Sequence, residues 1–264
     1  MMDSLLEFDG VEISYAGTPV VHDVSFSLAP GTIVALVGES GSGKSSLAKA
    51  AINLLGDGGS VTAGDVRYRS QSVLERTPEE MRALRGPEIG MVFQDCLASF
   101  SPTAKLGSQV EEALRAHDVS DETSARERML ATLSRFGIDD AARVWGSYPF
   151  ELSGGMGQRV GIALALLFSP RVLLADEVTS ALDVVSQRLV MEELVAARDE
   201  LGASTLLITH NIGVARAIAD EVVVLRKGAI VESGSALQVL THPRSAYVAS
   251  LVESMPRLRR EEGR

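Results

Sequence analysis

Thr32-Ile33-Val34-Ala35-Leu36-Val37 runs without a break into Gly38-Glu39-Ser40-Gly41-Ser42-Gly43-Lys44-Ser45. The first run reads as apolar on both faces, the pattern of a strand buried in a parallel sheet. The second matches G-x-x-x-x-G-K-[ST], in which glycines let the backbone curl until successive N–H groups point at phosphate oxygens. Ser45–Leu55 reads as a helix stopped at Gly56. Its start adds the positive end of a helix to the same anion. Lys44 supplies a point charge to terminal phosphates, and the Ser45 hydroxyl can ligate Mg²⁺. A flexible Gly/Ser turn would leave the strand before it and the helix behind it unexplained.

On the N-terminal side, Leu5–Tyr15 and Val20–Leu28 alternate apolar and polar residues between turns and read as strands. On the C-terminal side, the texture turns helical from about Ser99 to Tyr148. Met129, Leu133 and Phe136 recur at helical spacing, with Gly137 as a stop. This stretch reads as an insertion between two parts of an α/β core. Strand and helix then alternate: Arg171–Ala175, a helix over Ser186–Leu201 with Val190, Leu194, Ala197 and Leu201 on one face, then Thr205–Thr209. Glu221–Leu225 and Ala229–Glu232 flank Lys227-Gly228, a hairpin signal. Such alternation favours a parallel sheet covered by helices.

The 264 residues carry a formal net charge of −10, which argues against a nucleic-acid-coating surface. The basic cluster Arg257, Arg259 and Arg260 is diluted by Glu261 and Glu262 and reads as a solvated tail. A single cysteine, Cys96, excludes an internal disulfide framework, suits a reducing compartment and reads as a packing residue. The first ten residues carry acids where a signal peptide carries positive charge. The longest apolar stretch, Val160–Phe168, is far short of the ~20 residues that span a bilayer. Any action at a membrane therefore requires other subunits to hold the chain there.

Two further motifs bear chemistry. Arg171-Val172-Leu173-Leu174-Ala175-Asp176-Glu177 is an apolar strand ending in two acids, at the edge where ligands of open α/β sheets bind. Asp176 is suited to hold Mg²⁺ through water, and Glu177 to polarise an attacking water. Leu152-Ser153-Gly154-Gly155-Met156-Gly157-Gln158-Arg159 is a Ser-Gly-Gly turn opening an apolar helix. Alone it reads as a glycine-rich helix cap, though a helix start can also receive an anion.

A Walker A loop, an LSGG turn before Gln158-Arg159, and Asp176-Glu177, in this order, resemble the nucleotide-binding domain of ABC transporters. The resemblance runs from about residue 5 to residue 250. It implies an ABC-type P-loop α/β core with an N-terminal antiparallel β-subdomain and a helical subdomain inserted at about 99–159, leaving 251–264 as a short tail. It implies ATP held by Gly38–Ser45 and Ser46, with Tyr15 as the aromatic stacking on adenine. Gln94, in Met91-Val92-Phe93-Gln94-Asp95, matches the Q-loop glutamine that senses Mg²⁺ and the attacking water. Ser180-Ala181-Leu182-Asp183 resembles the D-loop, and His210 matches the switch histidine at the γ-phosphate. In that family Ser153, Gly154, Gly155 and Gln158 belong to the signature that closes over ATP held by a partner subunit. The implied assembly has two ATPase subunits, two membrane permeases and an extracytoplasmic solute-binding protein, with this chain peripheral on the cytoplasmic face.

Tyr148-Pro149-Phe150-Glu151 before the signature, Met156 within it, Ser99-Phe100-Ser101-Pro102, and the tail Thr241-His242-Pro243 with Tyr247 are similar to the ATPases of peptide and nickel importers. They fit the first ATPase of a heterodimeric pair. A chain ending about twenty residues after Pro243 leans toward the shorter nickel or metallophore type. Two departures stand out: Cys96 and Val178 occupy positions where the family has proline, a residue that presets φ. A non-transport ABC ATPase of a soluble phosphonate-metabolism complex is the alternative reading. A regulatory ATP-binding module without turnover is a third, against which Glu177, His210 and Gln94 stand.

Overall fold

The computed structural model describes residues 4–119, 121–180 and 182–254. The cluster Arg257, Arg259 and Arg260, and all of the expected tail beyond residue 254, lie outside the described residues. Strands β1 (Leu6–Tyr15) and β2 (Thr18–Leu28) form a hairpin across Ala16-Gly17. Both turn residues have positive φ, +48° and +80°. That is the two-residue turn whose twist matches the strands it joins. Strand β3 (Ile33–Gly38) is buried at all six positions. Burying each of its large aliphatic side chains contributes roughly 1.5–3 kcal/mol, so the phosphate loop leaves from a fixed anchor.

Helix α1 (Lys44–Ala51) is shorter than the run to Leu55 expected from sequence. Asn53 adopts φ +49°, and Leu54 N–H reaches back to the Lys49 carbonyl at 2.8 Å. Asn tolerates the left-handed conformation, so the helix closes there and not at Gly56. Strand β4 (Gly59–Tyr68), which the sequence pattern did not reveal, pairs with β1, and β5 (Gln71–Ser72) pairs with β4. Its alternation is broken at Gly64, where a Cβ would sit 2.2 Å from the Gly10 carbonyl oxygen. The resulting antiparallel sheet has the order β2-β1-β4-β5.

After α2 (Pro78–Leu84), which opens on a Thr77–Glu80 capping box, strand β6 (Ile89–Val92) leads into four helices. These are α3 (Leu106–Ala116), α4 (Glu122–Arg135), α5 (Ala141–Gly146) and α6 (Gly154–Leu167). Met129, Leu133 and Phe136 are buried in one cluster with Val110, Leu114 and Val160, and Gly137 at φ +73° ends that stretch. The remaining elements are β7 (Val172–Asp176), α7 (Val184–Leu201), β8 (Ser204–Thr209), α8 (Ile212–Ile218), β9 (Glu221–Arg226), β10 (Ala229–Ser235), α9 (Ala236–Thr241) and α10 (Ala246–Glu253). Val190, Leu194 and Ala197 of α7 are buried as their spacing predicts, while Leu201 at its end is exposed.

The second sheet has the order β10-β9-β3-β8-β7-β6, parallel except for β10, which returns from β9 across Lys227-Gly228. The α/β class, the antiparallel first sheet and the terminal hairpin all follow the sequence-based expectation. Because β3, β6, β7 and β8 run the same way, the loops after them open at one edge of the sheet.

Candidate nucleotide site

Four strand ends deliver the site. The loop after β3 brings Ser40, Gly41, Gly43, Lys44, Ser45 and Ser46 to an open cleft of about 600 Å³. The turn after β6 brings Gln94, the end of β7 brings Glu177, and the end of β8 brings His210 to the same cleft. Residues separated by as many as 170 positions therefore meet because a parallel sheet gathers its carboxyl edges.

The loop's curvature depends on glycine at defined points. Gly43 caps α1 at φ +95°, and a Cβ there would lie 2.7 Å from Val21 Cγ2. Gly38 lies flush against β9, where a Cβ would meet the Leu225 carbonyl oxygen at 2.2 Å. Lys44 is folded back on its own loop, donating to the Gly38 and Glu39 carbonyls at 2.9 and 2.8 Å. Burial lowers its pKa, and the nearby Glu177, Asp176 and Glu39 carboxylates oppose that shift. A partly desolvated ammonium held by carbonyls is ready to exchange them for phosphate oxygens.

Ser45 Oγ donates to Asp176 Oδ1 at 3.0 Å. Burial holds the Asp176 carboxyl above the ordinary carboxylate range, with the Ser45 hydrogen bond as the largest opposing influence. The adjoining Glu177 has φ +50°, a left-handed conformation that is uncommon for a long side chain. It is held by its own N–H to the Ile208 carbonyl at 2.9 Å and by Ser180, whose N–H and hydroxyl both donate to the Glu177 carbonyl. One carboxylate oxygen of Glu177 accepts from Gln94 Nε2 at 3.3 Å and lies 3.4 Å from His210 Nδ1. Strained backbone of this kind persists only where its surroundings over-determine it, and here it turns Glu177 toward both partners.

Other predicted residues lie apart from this cleft. Tyr15 is half-buried and does not line it, though its hydroxyl donates to Ser46 Oγ at 3.3 Å. Asp183 caps α7, accepting from Ser186 N–H and Oγ at 2.9 Å each, and these bonds hold its carboxyl below the usual range. Its neighbour Ala181 lies outside the described residues. Ser153 caps α6 by accepting from Met156 N–H, and Ser153 and Gly154 are exposed. Gln158 is instead buried under this turn, with an unpaired Nε2. None of the four signature residues lines the cleft of this chain.

The two departures from proline are accommodated. Cys96 has φ −63°, the value proline would impose, so the backbone is unchanged. Its Sγ donates to the Phe93 carbonyl at 3.1 Å and packs where a Cβ on Gly161 would be, 2.5 Å away. Val178 is in the core. Sequence reasoning missed Val20, which lines the cleft, and the packing of the Arg226 guanidinium over the Tyr247 ring of α10. In the sequence Tyr247 stands out only as part of the tail pattern.

A family model described as "ABC transporter" matches residues 21–180. A putative peptide import ATP-binding protein of Brucella ovis is 44% identical over 90% of this chain and 72% of that protein. The oligopeptide transport ATP-binding protein OppD of Lactococcus lactis subsp. cremoris is 36% identical over 96% of this chain and 76% of its own length. Among solved structures, the dimeric ATP-binding cassette MJ0796 in a post-hydrolysis state with ADP and Pi superposes with a TM-score of 0.77. That match is 27% identical and covers 88% of this chain and 98% of the cassette.

Proposed function

We propose, from the premise that this chain belongs to the ABC transporter family and is an ATP-binding, ATP-hydrolysing subunit of a transporter, that it drives the uptake of peptides through separate membrane permeases. The observation that carries the reading is the meeting of Lys44, Gln94, Glu177 and His210 on one open cleft from which Ser153, Gly154 and Gly155 are absent. The names of the two relatives support peptides as the cargo, and neither is named for nickel.

In this mechanism the loop N–H groups and the start of α1 receive the phosphates of ATP, and Lys44 leaves the Gly38 and Glu39 carbonyls for the terminal ones. The Ser45 hydroxyl and the Asp176 carboxylate, 3.0 Å apart, are hard oxygen donors suited to Mg²⁺, with Gln94 as a further ligand. Mg²⁺ held by these residues would neutralise charge on the phosphates. Glu177 orients and polarises the water that attacks the γ-phosphorus, with Gln94 and His210 setting its carboxylate. The bond to the γ-phosphoryl group breaks, ADP leaves with the bridging oxygen, and the proton of the water ends on phosphate. Tyr15 lies beside the loop for the adenine.

The Ser153–Gly155 turn at the start of α6, exposed at Ser153 and Gly154, is a helix end suited to an anion and lies outside this chain's own cleft. It fits the γ-phosphate of ATP held by a second ATPase subunit, which makes the chain half of a face-to-face pair. Val184 and Val185, 82% and 70% exposed beside Asp183, are apolar surface suited to such a partner. A second ATPase of related type is the favoured partner. A groove of about 280 Å³ between β6, α3 and α6, lined by Leu54, Phe93, Phe100, Leu164 and Phe168, is the apolar surface this reading gives to the permeases. No helix among the described residues is long and apolar enough to cross a membrane, so these permeases would hold the chain at the cytoplasmic face, with a solute-binding protein outside.

The test is uptake of labelled peptide into vesicles carrying the assembled complex, with Glu177→Gln as the probe. The variant should retain ATP and lose hydrolysis and uptake together. Hydrolysis at the wild-type rate would refute the role given to Glu177, and uptake of Ni²⁺ in place of peptide would refute the cargo.

A further inference from the structure

The carboxylate of Glu177 meets Gln94 and His210 only at 3.3 and 3.4 Å, so its direction is set mainly by the left-handed backbone beneath it. Ser180 grips the Glu177 carbonyl twice, by its N–H at 3.1 Å and its hydroxyl at 2.9 Å. Ser180 is exposed in the turn between β7 and α7, and its grip is only as firm as that turn. Gln187, at the end of the first turn of α7, reaches back into it. Its Nε2 donates to the Thr179 carbonyl at 3.1 Å and to the Leu182 carbonyl at 3.2 Å. Its backbone N–H, donated to the Asp183 carbonyl at 2.8 Å, fixes it to the helix. One amide group therefore clamps the chain on both sides of Ser180.

Gln187 lies outside the phosphate cleft, yet it shares a second, small cavity of about 60 Å³ with Glu177, Ser180 and His210. The wall opposite Gln187 is tied as well. Asn211 N–H donates to Thr209 Oγ1 at 3.0 Å, and its side-chain oxygen accepts from the Gly213 and Val214 N–H groups that open α8. The Glu177 turn thus stands between two braced walls. We propose that Gln187 is a positioning residue for hydrolysis: by clamping the Thr179 and Leu182 carbonyls it keeps Ser180 on the Glu177 carbonyl, and so holds the Glu177 carboxylate toward Gln94 and His210. The competing role is local, in which Gln187 closes the first turn of α7 and nothing more. The inference rests on the reading of Glu177 as the group that orients the attacking water.

Gln187→Met keeps the length of the side chain and removes the donor. In the assembled complex its kcat for ATP should fall about ten- to a hundredfold, the scale of loss when a reacting group is misplaced by about an ångström. The Kd for fluorescent MANT-ADP, set by Lys44 and the loop, should stay within about twofold of wild type. Amide hydrogen exchange of the full chain reads the geometry directly. The Ser180 N–H should exchange about tenfold faster in Gln187→Met, while the α7 amides from Val190 onward keep their protection. Ser180→Ala and the double variant complete a cycle: if Gln187 acts through Ser180, the two losses in kcat fall well short of multiplying. Losses that multiply, an unchanged kcat, or faster exchange confined to α7 would each overturn the proposal. Should Gln187→Met not fold, Gln187→Glu, whose carboxylate cannot donate to either carbonyl, should give the same pattern. Failure of both to fold decides for the local role. Glu177→Gln separates the two readings. Hydrolysis by Glu177→Gln at the wild-type rate would sink the role of Glu177 and this one with it. An inactive Glu177→Gln beside a fully active Gln187→Met would sink only the role of Gln187.

Discussion

Gly43→Ala should destabilise the chain more than Gly41→Ala, although both positions lie in the same loop and both have positive φ, +95° and +78°. Holding an L-residue in the left-handed region costs about 1–2 kcal/mol, a term common to the two. They differ in what the new methyl meets. At Gly41 nothing lies within 4 Å, whereas at Gly43 the methyl would be 2.7 Å from Val21 Cγ2 and 3.1 Å from the Val20 carbonyl oxygen. Val21 is fully buried on β2, and a β-branched side chain has little rotamer freedom with which to retreat. Relieving such an overlap costs about 1–3 kcal/mol, so Gly43→Ala should lose roughly 2–5 kcal/mol in all. With a urea m-value near 3 kcal/mol/M, the two variants should differ in midpoint by about 0.3–1 M. Far-UV circular dichroism and the fluorescence of the single tryptophan, Trp145 of α5, provide two probes whose coincidence tests for one transition. Equal midpoints, or a lower one for Gly41→Ala, would refute the claim that the loop is braced against β2.

Asp176→Asn should raise the melting temperature of the nucleotide-free chain while weakening Mg·ATP binding. Burial, then the neighbouring Glu177, holds this carboxyl above its ordinary value of 3.8. A raised folded-state pKa means the carboxylate costs stability above that pKa and the cost disappears as pH falls through it, so removing the charge helps at neutral pH. A lower melting temperature at pH 7 would refute this, as would a wild-type protein whose Asp176-dependent stability falls on mild acidification. Cys96, its thiol pushed up to about 12 chiefly by burial, should resist DTNB at pH 8 in the native state and react once urea unfolds the chain. Native reaction at the denatured rate would contradict its packing against Gly161.

What the sequence makes legible is local. The strand-to-loop join at Val37-Gly38, the Lys227-Gly228 turn and the stripe of Val190, Leu194 and Ala197 each declare themselves within a few residues, because side-chain period and turn chemistry act over that range. Strand β4 does not, since it pairs with β1 on either side of an irregularity where Gly64 closely approaches Gly10, and neither glycine carries an apolar pattern. The end of α1 was misplaced for a related reason: Asn53 closes the helix by its own left-handed backbone, and the more obvious Gly56 is already outside it. At residue 96 the cysteine keeps φ at −63° without the ring that would preset it, and fills the space beside Gly161.

That Gln94 and His210 belong beside Glu177 was legible only through resemblance, and the geometry explains why. Nothing near Gln94 or His210 in the chain marks them as neighbours of Glu177; parallel strand order brings them there, and strand order is a property of the whole sheet. Glu177 adds a local feature that no pattern announces. Its left-handed backbone interrupts the direction of β7, so that its carboxylate turns to Gln94 and His210 while Asp176, one residue earlier, remains buried against Ser45. Two adjacent acids on a regular strand would point to opposite faces. The Glu177 turn is what keeps both beside the phosphate loop, one buried beneath it and the other at the open cleft. Adding Ser180→Ala removes the hydroxyl that donates to the Glu177 carbonyl, so it should slow hydrolysis while leaving the ADP affinity set by Lys44 and the loop unchanged. An equal loss of both would mean that the turn supports the loop and does not specifically orient the carboxylate.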